Sequence, residues 1–134
     1  MIWLLLAACI PTETLYEVQI TGSVSSGVDA PIFGEVLLAQ VGEGALAHGM
    51  VWVEDFELDG PGAVSLTTVV PGYGEGLALY AWQDTDGDGL LCALGGDDEP
   101  TGAGFSDDFP STAVTIDVTL DAACLGPERY ARPL

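Results

Sequence analysis

Asp84-Thr85-Asp86-Gly87-Asp88-Gly89 sets three carboxylates at alternate positions and closes on glycine, directly after the apolar run Leu77-Ala78-Leu79-Tyr80-Ala81-Trp82. A hard cation such as Ca²⁺ takes about six to eight oxygen ligands, and a D-x-D-x-D-G loop supplies the first of them from a short piece of chain. The glycine permits a turn sharp enough to aim a backbone carbonyl, here that of Leu90, back at the ion. The pattern predicts Ca²⁺ as cofactor, with Asp84, Asp86 and Asp88 as side-chain ligands and Leu90 as a backbone ligand. The competing reading is a solvated Asp/Gly turn, common in acidic exported chains.

The loop is not a standard EF-hand. That motif carries a bidentate Glu at its twelfth place, where this chain has Gly95, and no helical period flanks the segment. The missing ligands are expected from Asp97, Asp98 or Glu99, which follow at once, or from Asp107 or Asp108 further on. Without a cation these carboxylates repel one another in a small space. Asp84→Ala is therefore expected to lower stability in Ca²⁺ and hardly at all in chelator.

Groups for catalysis are thin. His48 is the sole histidine, in Ala45-Leu46-Ala47-His48-Gly49, where a hairpin tip accounts for it. The chain has no G-x-S-x-G, no H-E-x-x-H and no glycine-rich phosphate loop ahead of a helix. Paired carboxylates hydrolyse glycosides in some enzymes, but so acidic a chain offers such pairs by chance. No enzyme is predicted. A binding module is the rival reading: Trp52, Tyr73, Tyr80 and Trp82 could form an aromatic platform for sugar rings beside a Ca²⁺-held loop. Trp52 and Trp82 lie on strand segments, however, where core packing is the ordinary destination.

The elements that position these residues read as strands. Large apolar residues alternate through Tyr16–Val24 and Val114–Leu120, the period of half-buried strands, and Gly34–Val41, Met50–Leu58, the Val/Thr-rich Val64–Val70 and the apolar run Leu77–Trp82 supply further strand segments. Met50, Trp52 and Phe56 are assigned to one face of their segment. Glycine and proline punctuate the junctions, and no stretch sustains a helical period. Six to seven short strands at this spacing predict an all-β fold, an antiparallel immunoglobulin-like or transthyretin-like β-sandwich over residues 15–134. One acidic loop, 84–111, is out of scale and carries almost no strand signal, so something must pin it.

With 134 residues the chain has room for a single core. Its 21 acidic residues against two basic ones leave a formal charge of −19, and both arginines, Arg129 and Arg132, lie near the end. Such a surface offers nothing to nucleic acid or anionic headgroups and suits cations. Residues 1–8 are apolar, too short to span a membrane and matched to the apolar part of a signal peptide. Leu6-Ala7-Ala8-Cys9 resembles the lipobox of bacterial lipoproteins, which implies cleavage before Cys9, a lipid on Cys9 and a tether over 9–14. The absence of Lys or Arg ahead of the apolar run is the pattern expected if translation starts upstream of Met1. Ile10 after the cysteine points to the outer membrane of the cell envelope, on its periplasmic or surface face. With Cys9 acylated, Cys92 and Cys124 remain as an even pair, either bridged in an oxidising compartment or left as two buried thiols. A zinc site does not match their spacing from His48.

Leu77 to Asp84, the Asp/Gly repeat and Glu99-Pro100-Thr101-Gly102-Ala103-Gly104-Phe105-Ser106 resemble a family of exported bacterial proteins, the domain of unknown function 2141. In that family an apolar strand runs into D-x-[DN]-G-[DN]-G, and a spacer leads to an E-G-x-G-F-S-like segment and a final alternating strand. The resemblance covers roughly Leu77 to Leu120 and implies a β-sandwich without established catalysis. Val70-Pro71-Gly72 also resembles the turn before this strand in transthyretin-like and carboxypeptidase-regulatory-like domains. The spacer Gly95–Glu99 and Cys92 depart from the family pattern. Together the expectation is an exported, membrane-anchored β-sandwich with a calcium-binding loop and a protein or glycan ligand.

Overall fold

A computed structural model describes residues 14–41, 48–71, 76–106 and 108–130. Within them the chain forms β1 (Leu15–Ser25), β2 (Ile32–Val41), β3 (His48–Leu58), β4 (Gly62–Pro71), β5 (Gly76–Gln83), β6 (Pro100–Ser106), β7 (Ala113–Thr119), the two-residue β8 (Ala122–Ala123) and a 3-10 turn, Pro127–Tyr130. One sheet runs β4-β1-β7 and the other β3-β2-β5-β6-β8. The two pack face to face as an all-β sandwich. Residues 1–8, Cys9, Tyr73, Asp107 and the His48 side chain lie outside the described residues. No helix among the described residues is long and apolar enough to cross a membrane.

Alternation builds the interior. β7 alternates exposed and buried along its whole length, sending Val114, Ile116 and Val118 inward. They meet Val18, Ile20 and Val24 of β1, then Ile32, Val36 and Leu38 of β2 and Leu77, Leu79 and Ala81 of β5 across the sandwich. β5 differs, since nearly every residue in it is buried. Its inner side joins the main core, while Ala78 and Tyr80 join Leu37 in a second cluster on the outer face of the sheet.

Four expectations change. There are eight strands among the described residues, and one pair, β1 with β7, is parallel. β6 lies within the stretch assigned to a loop. Its glycines hid it, and they are there because the two sheets close backbone to backbone. A Cβ on Gly102 would stand 2.1 Å from the Thr119 carbonyl oxygen, and one on Gly104 2.1 Å from that of Asp117. A bulge divides β3: Trp52 pairs with Leu37 and Glu54 with Val36, leaving Val53 extra. The extra residue inverts the alternation, so Met50 packs on the outer cluster while Phe56 enters the core. Finally, neither Trp52 nor Trp82 belongs to the sandwich interior.

Gly104→Val is expected to cost at least about 1–3 kcal/mol through forced separation of β6 from β7. Thermal unfolding should show a midpoint several degrees lower. Gly62→Ala, where a Cβ meets nothing within 4 Å, should leave the midpoint in place.

Candidate metal centre

The ladder between β5 and β6 positions the acidic loop. Its last pair is Trp82 with Thr101, and the same register, continued by two residues, sets Asp84 opposite Glu99. The loop is thus the tip of a long hairpin with a carboxylate on each side of its base. The Asp84 end is anchored twice. Its amide donates to the Pro31 carbonyl at 3.1 Å. Gln83, fully buried, donates to the carbonyls of Val28 and Ala30 at 2.9 and 3.1 Å and accepts from the Ser26 hydroxyl.

The Asp/Gly repeat folds around Asp84. Gly87 and Gly89 adopt φ of +76° and +74°, which L side chains rarely tolerate. That turn brings the amides of Gly87 and Asp88 to Asp84 Oδ1 at 2.8 and 3.1 Å and the amide of Gly89 to Oδ2 at 3.0 Å. Asp86 accepts from the amides of Asp88 at 3.1 Å and Asp97 at 3.0 Å. These bonds to the charged form hold the Asp86 carboxyl below its ordinary range. Asp88 Oδ1 accepts from the Leu90 amide at 2.8 Å. Gly96 closes the far side, where a Cβ would come within 2.5 Å of Asp86 Oδ2.

Glu99 has no exposed surface. Its carboxylate accepts from the Thr85 amide at 3.2 Å and the Cys92 amide at 2.8 Å. Burial nevertheless pushes its pKa up, and the charges of Asp86 and Asp84 add to that, outweighing the two amides. Cys92 is bridged to Cys124 with Cα atoms 5.6 Å apart, and the Cys124 amide donates to the Glu99 carbonyl at 3.0 Å. Both cysteines stand at positive φ, +48° and +57°, a conformation costing of order 1–3 kcal/mol each outside glycine. The bridge therefore grips Glu99 by side chain and by backbone.

Ligand atoms of Asp84, Asp86, Asp88 and Glu99 all lie within 4.8 Å of one another, so this group could hold a metal ion. Of the acidic residues expected to complete the site after the repeat, Glu99 is the one that joins the group among the described residues. Asp97 contributes its amide, and the exposed Asp98 and Asp108 stay outside the group. Asp84 also proves to be more than a ligand candidate. It is buried and holds three amides, so its removal costs stability with or without metal, contrary to the expectation from sequence. One orphan belongs to the same loop: Thr85 Oγ1 is buried without a hydrogen-bond partner.

The aromatic candidates do not form one platform. Tyr80 is buried, its hydroxyl donating to the Leu125 carbonyl at 2.7 Å. Trp52 is 57% exposed and donates from Nε1 to Asp55 Oδ1 at 2.7 Å. Trp82 is half-buried, stacked on Phe33 with ring centroids 5.1 Å apart. Their β2 partners, Leu37 and Phe33, are four residues apart, about 13 Å along the strand.

No protein-family model, no curated protein and no solved structure matches the chain.

Replacing Cys92 and Cys124 together by Ser should cost about 4 kcal/mol on the chain-entropy account of a bridge of this span. It should also weaken cation affinity by at least tenfold, because Glu99 loses its clamp. Chemical denaturation with and without cation separates the two effects.

Proposed function

We propose that the protein is an exported bacterial lipoprotein, held at the membrane by a lipid on Cys9, whose β-sandwich presents a Ca²⁺-stabilised acidic loop. Its role is structural or ligand-recognising, without catalysis. One observation carries the calcium reading. Four carboxylates converge at the base of a hairpin, and two of them, Asp84 and Glu99, are buried with backbone amides as their hydrogen-bond partners.

The donor set suits the ion. All four groups offer hard oxygen, which favours Ca²⁺, Mg²⁺ or Mn²⁺ over softer metals. Oxygens about 2.3–2.6 Å from a Ca²⁺ span up to about 5 Å across it, compatible with the 4.8 Å limit of the group. Asp84, Asp86, Asp88 and Glu99 would supply side-chain ligands, the Leu90 carbonyl a backbone one, and water the remainder. When bound, the ion offsets the desolvation of Glu99 and the repulsion it feels from Asp86 and Asp84, and ties the hairpin tip to its base.

The anchor rests on the lipobox-like Leu6-Ala7-Ala8-Cys9. The Cys92–Cys124 bridge fits an oxidising compartment, and the likeness to the exported family over Leu77–Leu120 points the same way. A sugar-binding platform gains nothing from the separation of Trp52 and Trp82.

Unfolding of the full chain in millimolar Ca²⁺ and in chelator tests the site. At about 100-fold over the dissociation constant the ion should add ~2.7 kcal/mol, visible as a midpoint several degrees higher. Asp88→Asn keeps the acceptor for the Leu90 amide and removes the charge, so it should match the parent in chelator and lose most of the Ca²⁺ gain. An unchanged gain in that variant would remove the cluster from the account. For the anchor, mass spectrometry of protein expressed in a bacterium should find a diacylglycerol-modified Cys9 at the new N-terminus. Cys9→Ser should leave the protein in the soluble fraction.

A further inference from the structure

The outer face of the five-stranded sheet carries a second acidic feature, remote in role from the hairpin loop. Register places Asp55, Glu35 and Tyr80 in one row across β3, β2 and β5, and Glu57, Phe33 and Trp82 in the next. Of these, Phe33, Glu35, Asp55, Glu57 and Trp82 line a cleft of about 230 Å³. Its floor is the Phe33–Trp82 stack, inclined at 27°, and its wall is three carboxylates.

Two properties of this cleft call for a cation. Glu35 and Asp55 stand directly opposite on neighbouring strands, an arrangement that is destabilising for like charges. Burial raises the Glu35 pKa, with Asp55 and then Glu128 adding to it. Among the described residues no Lys or Arg lines the cleft, in a chain with two basic residues in all. A tryptophan face ringed by carboxylates is also a favourable seat for an ammonium or guanidinium group.

A third property says what kind of molecule brings the cation. β3 is the last strand of its sheet and pairs with β2 alone among the described strands. Its open edge runs beside the cleft and offers backbone hydrogen bonds that a polypeptide can use and a free amine cannot. Glu54, Asp55 and Glu57 make that edge repel a second copy of this chain while admitting a basic segment. We infer that the β3 edge docks an extended, basic segment of a partner protein, with one lysine side chain reaching over β3 toward the carboxylates of Asp55, Glu57 and Glu35 at the mouth of the cleft. This surface is independent of the metal reading.

The test is binding of a fluorescent synthetic peptide of alternating threonine and lysine to the full chain, in Ca²⁺ and at moderate salt. Saturable one-to-one binding is expected, weakened at least tenfold when the lysines are acetylated. Glu35→Gln combined with Asp55→Asn should weaken it at least tenfold as well. Glu17→Gln combined with Asp121→Asn removes equal charge at exposed sites elsewhere and should change binding less than twofold. Equal loss from both pairs would reduce the effect to the overall negative field and overturn the proposal. Undiminished binding of the acetylated peptide would overturn it too. Competition by butylamine at the same amine concentration would make the cleft a small-amine site instead.

Discussion

Holding two carboxylates buried on opposite sides of one hairpin base is the constraint on which the rest of this structure depends. Asp84 and Glu99 face each other because β5 and β6 continue their register past the last ladder pair. Each sits where water cannot reach it freely. Burial of like charges is unfavourable unless hydrogen bonds and opposite charge answer it. Five backbone amides supply the hydrogen bonds, from Gly87, Asp88 and Gly89 to Asp84 and from Thr85 and Cys92 to Glu99. The positive φ of Gly87 and Gly89 is what lets the chain wrap back to deliver them.

Around that base the fold is organised to keep the two carboxylates still. Gln83 ties the end of β5 to the β1–β2 connection. The disulfide ties the loop to the segment after β7, and both of its cysteines also contact Glu99 through their amides. Behind the hairpin, Gly102 and Gly104 let β6 lie directly on β7, so the strand that follows Glu99 is seated against the opposite sheet. Rigidity of this kind is what a cation site needs, because an ion bound by a preformed group does not have to order the chain on arrival.

The two faces of the five-stranded sheet divide the remaining work. The inner face makes the core with β1, β4 and β7. The outer face is covered in part by the segment after β8, where Tyr130 packs near Tyr80 and its hydroxyl pairs with that of Thr101 at 2.9 Å. Among the described residues that cover stops short of Phe33, Trp82 and the β3 edge, which leaves aromatic and acidic side chains together on an open margin.

Much of this was legible beforehand. Six strands are legible from sequence, β7 because Val114, Ile116 and Val118 keep one face apolar at period two and β5 as an unbroken apolar run. The repeat Asp84-Thr85-Asp86-Gly87-Asp88-Gly89 marked the site because acidic side chains and turn glycines stand at local spacings. Cys92 and Cys124 were an even pair by count alone. What sequence did not disclose depends on distant neighbours. β6 was hidden because its glycines answer to the β7 backbone rather than to any local preference. The faces of Trp52 and Phe56 were misjudged because a bulge opposite Val36 and Leu37 leaves no mark in composition. Glu99 could not be told from Asp97 and Asp98, since only the hairpin register decides which acid stands opposite Asp84. Sequence by itself determined the strand material, the charge and the first ligands, because those follow from local period and spacing. Tertiary structure alone chose the buried partner and the open face, because pairing and burial belong to strands far apart in the chain.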